Sequence, residues 1–192
     1  MSHEECAALA LIGLTALISV EDTLQLKKGE TILIQGGAGG VASYAIQLAK
    51  HIGARVITTA RAENHPYLRK LGADHIIDYN AQDFTKVVSG CDAVFDPVGG
   101  DVTTRSFEVL RSGGRMATIA MRTAPAAPRG DLASLKPQVG RSRAHLERIA
   151  SLVTSGAVRV PEIKLYSLAQ AADAHRLSEG RHFRGKLVFK VR

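Results

Sequence analysis

Two rhythms of apolar and polar positions alternate along this chain. Short apolar runs mark buried strands, and stretches in which apolar residues return every three or four positions mark amphipathic helices. A leading apolar helix is predicted over about Cys6–Val20, followed by a Lys27-Lys28-Gly29 turn. Glu30–Gln35 reads as a first strand and Val41–Ile52 as its crossover helix. Arg55–Thr59 is a second strand, and the helix Pro66–Leu71 is closed by Gly72. His75–Asp78 is a third strand, Asp83–Val88 a short helix and Asp92–Asp96 a fourth strand. A helix over Thr103–Leu110, closed by Ser112-Gly113-Gly114, leads to a fifth strand at Arg115–Ile119.

The pattern then loosens. Thr123–Gly130 is a Pro-containing loop, and Leu132–Val139 is a candidate sixth strand that Pro137 confines to an edge. Arg143–Thr154 is predicted as a helix with Leu146, Ile149, Ala150 and Val153 on its buried face, ended by Gly156. Ile163–Tyr166, Leu168–Ser178 and Lys186–Val191 read as strand, helix and strand. Such alternation predicts an α/β fold, a Rossmann-type doubly wound parallel sheet with helices on both faces. The expected division is a leading helix and linker over 1–28, a nucleotide-binding domain over 29–158 and a C-terminal helix–strand return segment over 159–192.

Composition narrows the classes. The 192 residues are 45% hydrophobic, enough for one core with an appendage. No apolar run reaches about 18 residues, so no membrane span is expected. Cys6–Val20 lacks the basic flank of a signal peptide. The two cysteines, Cys6 and Cys91, have no metal or disulfide spacing, which points to a reducing, cytoplasmic setting. Residues 1–140 carry 14 Lys/Arg and 14 Asp/Glu, whereas 141–192 carry 11 and 4, so the tail supplies the whole net charge of +7. Those charges are spread out with no aromatic stacking motif among them. They read as a solvated face or one that meets an anionic cofactor, rather than a nucleic-acid surface.

Candidate chemistry begins at the turn after the first strand. Gly37-x-Gly39-x-x-Ala42 lies between a predicted strand and a predicted helix, the context in which this spacing binds a dinucleotide. Gly37 is read as the tight-turn residue. Gly39, read as a positive-φ position, lets the backbone approach a pyrophosphate, and Ala42 lets the helix pack on the strand. With Ala38, Gly40 and Val41 they put the positive helix end against phosphates. About 20 residues on, a carboxylate would bond the ribose of NAD. This chain has Thr58-Thr59-Ala60-Arg61 instead, and the Arg61 fork suits the 2′-phosphate of NADP(H). The histidines, at 3, 51, 65, 75, 145, 175 and 182, form no metal or nucleophile motif, and no G-x-S-x-G elbow is present. No catalytic or metal-binding residue is therefore assigned.

ALIGLTAL (Ala10–Leu17), KKGETILIQGGAGGVASYAIQLAK, KLGADHIIDY (Lys70–Tyr79), DAVFDPVGG (Asp92–Gly100) and SLAQAADAHRLSEGRHFRGKLVFKV (Ser167–Val191) occur in that order. Together they resemble the zinc-independent, quinone oxidoreductase-like branch of the medium-chain dehydrogenases/reductases, nearly end to end. Ala42 stands where that family usually has glycine. The chain is similar to the family's cofactor-binding domain, without the N-terminal GroES-like substrate domain.

The resemblance implies cofactor contacts at Thr59 and Tyr79. It puts Val98, Gly99 and Gly100 at the ribose, and Thr15, Ile119, Ala120 and Met121 near the nicotinamide. Arg181 and Arg184 are further candidates for a phosphate. It implies hydride transfer between NADPH and a quinone, enone or related carbonyl, with this chain alone inactive. It also implies a homodimer, with an apolar edge at Leu187, Val188 and Phe189 left open. A stand-alone nucleotide-binding or sensor module without turnover is the alternative.

Overall fold

A computed structural model describes residues 1–140, 142–180 and 183–191. Six strands form one parallel sheet: β1 (Thr31–Ile34), β2 (Arg55–Ala60), β3 (His75–Asp78), β4 (Cys91–Asp96), β5 (Leu110–Thr118) and β6 (Ala133–Leu135). Their order is β3-β2-β1-β4-β5-β6. The winding reverses between β1 and β4, which opens a crevice at the carboxyl ends of those strands. The expected Rossmann-type doubly wound sheet is therefore the fold of this chain.

The helices of this sheet unit are α1 (His3–Leu17), α2 (Gly40–Ile52), α3 (His65–Lys70), α4 (Phe84–Val87), α5 (Asp101–Ser106) and α6 (Arg143–Thr154). Strand residues alternate between two cores. Ile32, Ile34, Ala93 and Phe95 face a core shared with Tyr44, Ile46 and Leu48 of α2 and with Leu9, Leu14 and Leu17 of α1. Leu33 and Val94 face the other core, with Phe84, Phe107 and Met116. Burial on both faces explains why β1 reads as a continuous apolar run.

Several boundaries moved, each for a local reason. α1 starts earlier than predicted because Ser2 and Glu5 close a capping box: Glu5 N–H donates to Ser2 Oγ at 3.1 Å, and Ser2 N–H to Glu5 Oε2 at 2.7 Å. It continues as a π-helical turn over Ile18–Thr23. The helix over His3–Thr23 is thus long and apolar enough to cross a membrane, contrary to the expectation that none would be. Here it packs on α2 and α6 within the core.

The predicted helix Thr103–Leu110 is α5 followed by a 3-10 turn at Phe107–Val109, and Leu110 already belongs to β5. The Gly113-Gly114 pair does not close a helix. Pairing jumps from Cys91↔Leu110 to Ala93↔Arg115, and Gly113 at φ 72° takes up the excess chain as a bulge. α6 has the predicted bounds but a rotated face. Ile149 and Leu152 are buried while Leu146 is exposed, because Ile149 drops against Gly13 of α1, where a Cβ would lie 3.0 Å from it.

The C-terminal β7 (Ile163–Ser167), α7 (Ala171–Glu179) and β8 (Lys186–Lys190) form a separate parallel pair. β8 lies against α1, and Gly185 bridges to Gly39 in the turn after β1. Val188 is buried and Leu187 and Phe189 are half-buried, so this edge is less open than the sequence suggests. Cys6 is exposed and Cys91 buried, and both are free thiols. Burial pushes the Cys91 thiol up to about 11.

Candidate functional site

A cleft of about 1020 Å³ opens at the carboxyl ends of β1, β2 and β4. Its floor is the turn between β1 and α2, and the division of labour among its glycines differs from the sequence reading. Gly36, not Gly37, has the left-handed backbone, at φ 62°. Gly37 is buried and must lack a side chain for a different reason: a Cβ there would lie 2.3 Å from Thr58 Oγ1. Gly39 is extended, at φ −69° and ψ 153°, and caps α2. The positive φ expected at Gly39 is therefore absent. Gly39 is exposed, and a Cβ on it would meet only the Gly36 carbonyl oxygen, at 3.4 Å. The protein itself leaves room above Gly39, so packing does not account for glycine there.

A buried chain of hydrogen bonds holds this turn. Gly36 N–H donates to Thr59 Oγ1 at 3.0 Å. Thr59 Oγ1 donates to Gln35 Oε1 at 2.7 Å, and Gln35 Nε2 to Ser106 Oγ at 3.0 Å. Gly37 N–H donates to the Thr59 carbonyl at 2.9 Å, and Gly39 N–H to that of Gly36 at 3.0 Å. The first N–H groups of α2 that follow have no earlier helical turn to bond to, and the helix begins directly behind the cleft-lining Ala38 and Gly39.

At the far end of the cleft, Arg61 Nε donates to Tyr79 Oη at 3.1 Å, with Glu63 and Asn64 alongside. The rim beyond is stiffened by Arg105, which pairs with Asp83 and stacks on Phe84 at 5.1 Å. The hydroxyl and N–H of Thr85 donate to Asp83 and, with Arg105, hold its carboxyl below the usual range.

The cleft brings together Ala38, Gly39, Thr59, Arg61, Tyr79 and Val98 from the predicted set. Gly37, Gly40, Val41, Gly99, Gly100, Ile119, Ala120 and Met121 do not line it. Gly37, Gly40 and Val41 support the floor. Gly99 abuts Ala120, where a Cβ would lie 2.8 Å from that of Ala120, so the loops after β4 and β5 form one flank. Lys136 Nζ donates to the Met121 carbonyl and ties down the end of that flank. Thr15 is set apart: it is buried in α1, and its hydroxyl donates to the Leu11 carbonyl at 2.8 Å.

Arg184 does not reach the cleft. Its Nε donates to Glu162 Oε2 at 2.7 Å, and it stacks on Tyr67, whose phenol burial pushes up. Arg181 lies outside the described residues. Residues the sequence reading missed include Gln35, Asn64, Arg105 and Phe183, all lining the cleft. The buried Asp96 behind the flank was also missed, though its place before Pro-Val-Gly-Gly marked a strand-end turn. Among the described residues no three or more His, Cys, Asp or Glu gather in a metal-binding group.

Comparison with known proteins places this geometry among relatives. Residues 71–189 match the family described as zinc-binding dehydrogenase. A 2-haloacrylate reductase from Burkholderia sp is 31% identical over 205 aligned residues, covering 95% of this chain and 62% of that protein. The quinone oxidoreductase structure from Coxiella burnetii superposes with a TM-score of 0.91 at 39% identity, over 97% of this chain and 60% of that one. The Escherichia coli quinone oxidoreductase complexed with NADPH gives a TM-score of 0.88 at 28% identity, over 100% of this chain and 66% of that one. The chain thus spans less than two thirds of the length of each.

Proposed function

Since the chain belongs to the zinc-binding dehydrogenase family, we propose that it is the cofactor-binding part of an oxidoreductase and holds NADP(H) in the β1–β4 crevice. The observation that carries this is the pairing of an exposed, unobstructed Gly39 at the helix N-terminus with Arg61 at the far end of the same cleft. The residues fit the cofactor. The first N–H groups of α2 would take the pyrophosphate, Arg61 the 2′-phosphate and the β4 and β5 loops the nicotinamide side. The cofactor, when bound, supplies hydride chemistry. The chain's own residues bind and orient it. Within this reading the reaction is of the zinc-independent, quinone oxidoreductase-like kind. The acceptor is a quinone, an enone or a related carbonyl, and the setting is cytoplasmic. The relatives described as quinone oxidoreductases and a haloacrylate reductase support that substrate range.

NADPH should bind more tightly than NADH. Arg61→Ala is expected to cost about 1.5–3 kcal/mol for NADPH, the range for charge-assisted hydrogen bonds, and little for NADH. Titration calorimetry on both cofactors checks this, and equal wild-type affinities would sink the NADP assignment.

The proposal extends to a homodimer. Among the described residues β6 is a three-residue strand at the sheet edge, and β7 and β8 make a two-stranded sheet. A C2 pair is the simplest closed way to cover such edges. Light scattering at micromolar concentration should give about twice the chain mass of 20.5 kDa, whereas a monomer would remove the dimer from the account.

A further inference from the structure

Asp96 ends β4 and is 0% exposed, yet no arginine or lysine pairs with it among the described residues. Its two carboxylate oxygens serve three elements instead. Oδ1 accepts from Val98 N–H at 2.8 Å and Gly99 N–H at 3.1 Å. Oδ2 accepts from the Thr103 hydroxyl on α5, and from Thr118 Oγ1 at the end of β5 at 3.5 Å. The same residue's carbonyl accepts from Ile119 N–H at 3.2 Å. Thr118 Oγ1 in turn accepts from Ala120 N–H at 3.3 Å.

Three backbone positions of the cleft flank, Val98, Gly99 and Ala120, therefore hang on this side chain and its immediate partner. A buried carboxylate is costly, and it persists where donors surround it. The donors here come from the loop after β4, from Thr103 on α5 and from Thr118 at the end of β5. Thr31 N–H bonds Asp92 at the opposite end of the same strands, so β4 carries two carboxylates with different tasks. Asp92 sits at the amino end, away from the cleft, whereas Asp96 sits directly behind the flank.

We propose that Asp96 is a positioning residue for the nicotinamide end of the cofactor: one buried carboxylate sets the spacing between the β4 and β5 loops against which the ring would rest. The inference rests on the NADP(H) reading above and assigns a task to a residue that lies outside the cleft. It predicts a loss confined to one half of the dinucleotide. The adenine half rests on Gly39, Arg61 and Tyr79, none of which bonds Asp96. A merely structural role would weaken both halves together.

The test compares wild type with Asp96→Asn and Thr118→Val, using 2′,5′-ADP as the adenine-half probe and NADPH as the whole cofactor. Asp96→Asn keeps the shape and one acceptor oxygen but replaces the other with an NH2 group and removes the charge that strengthens all four bonds. Thr118→Val removes one linking hydroxyl at nearly constant volume and decides the question if Asp96→Asn does not fold. Both variants should lose at least tenfold in NADPH affinity, with 2′,5′-ADP affinity within about twofold of wild type. Amide exchange at Val98, Gly99 and Ala120 should rise at least tenfold while that of the α2 N-terminus is unchanged. This second readout needs no cofactor, so it judges the positioning role even if the NADP(H) reading fails. Equal losses for both ligands, or unchanged exchange in the two loops, would overturn the assignment.

Discussion

Gly39→Val is expected to abolish NADPH binding and leave the fold intact. The backbone at this position is already extended, at φ −69° and ψ 153°, a conformation that valine favours. Its Cβ would touch only the Gly36 carbonyl oxygen, at an ordinary 3.4 Å. The backbone and the added Cβ are accommodated, but the side chain would stand at the start of α2, where the pyrophosphate would lie in the proposed complex. Losing two charge-assisted hydrogen bonds at about 1.5–3 kcal/mol each removes on the order of a hundredfold or more in affinity. Gly37→Val should behave differently. Its Cβ would lie 2.3 Å from Thr58 Oγ1, so the strand must move and stability falls with binding. Circular dichroism reports the fold and calorimetry the binding. A folded Gly39→Val protein that binds NADPH as wild type does would show that this turn is not the phosphate site.

The second large effect is an absence of turnover. The 192-residue chain alone is expected to bind the cofactor and yet reduce small quinones or enones no faster than the uncatalysed background. Hydride transfer needs a substrate held at about 3–3.5 Å from the donor carbon. The loops assigned to that end leave Val98, Gly100 and Ala120 exposed and would form one wall of such a site. Water would reach the ring freely. NADPH oxidation followed by absorbance with a panel of small quinones measures this. Robust oxidation by the isolated chain would mean that these loops suffice for a substrate site.

Much of the fold was legible because β1, β2 and β4 are buried on both faces and so carry short apolar runs, Ile32–Ile34, Val56–Ile57 and Ala93–Phe95, between turn signals. The phosphate turn was legible as a spacing, but the task of each glycine was not. Gly37 answers to Thr58, which lies on the neighbouring strand, and Gly36 rather than Gly39 bears the positive φ. Asp96 escaped notice because its partners Thr103 and Thr118 are brought together only by the sheet and α5. The bulge at Gly113 looked like a helix stop because Ser-Gly-Gly serves both purposes, and only pairing with β4 separates them. Arg184 looked available for a phosphate, but Glu162 and Tyr67 engage it. In each case a long-range contact, which no local pattern encodes, decided the outcome.

The central claim is that the crevice between β1 and β4 holds NADP(H) with its phosphates on α2 and its adenosine end at Arg61. An NMR titration of the isotope-labelled chain with NADPH tests it most directly. The account predicts the largest amide shifts at Gly39 to Ala42, at Arg61 and Tyr79, and along Val98 to Gly100 and Ile119 to Met121. Shifts absent from these positions at saturating NADPH, or confined to the basic stretch after residue 141, would contradict it.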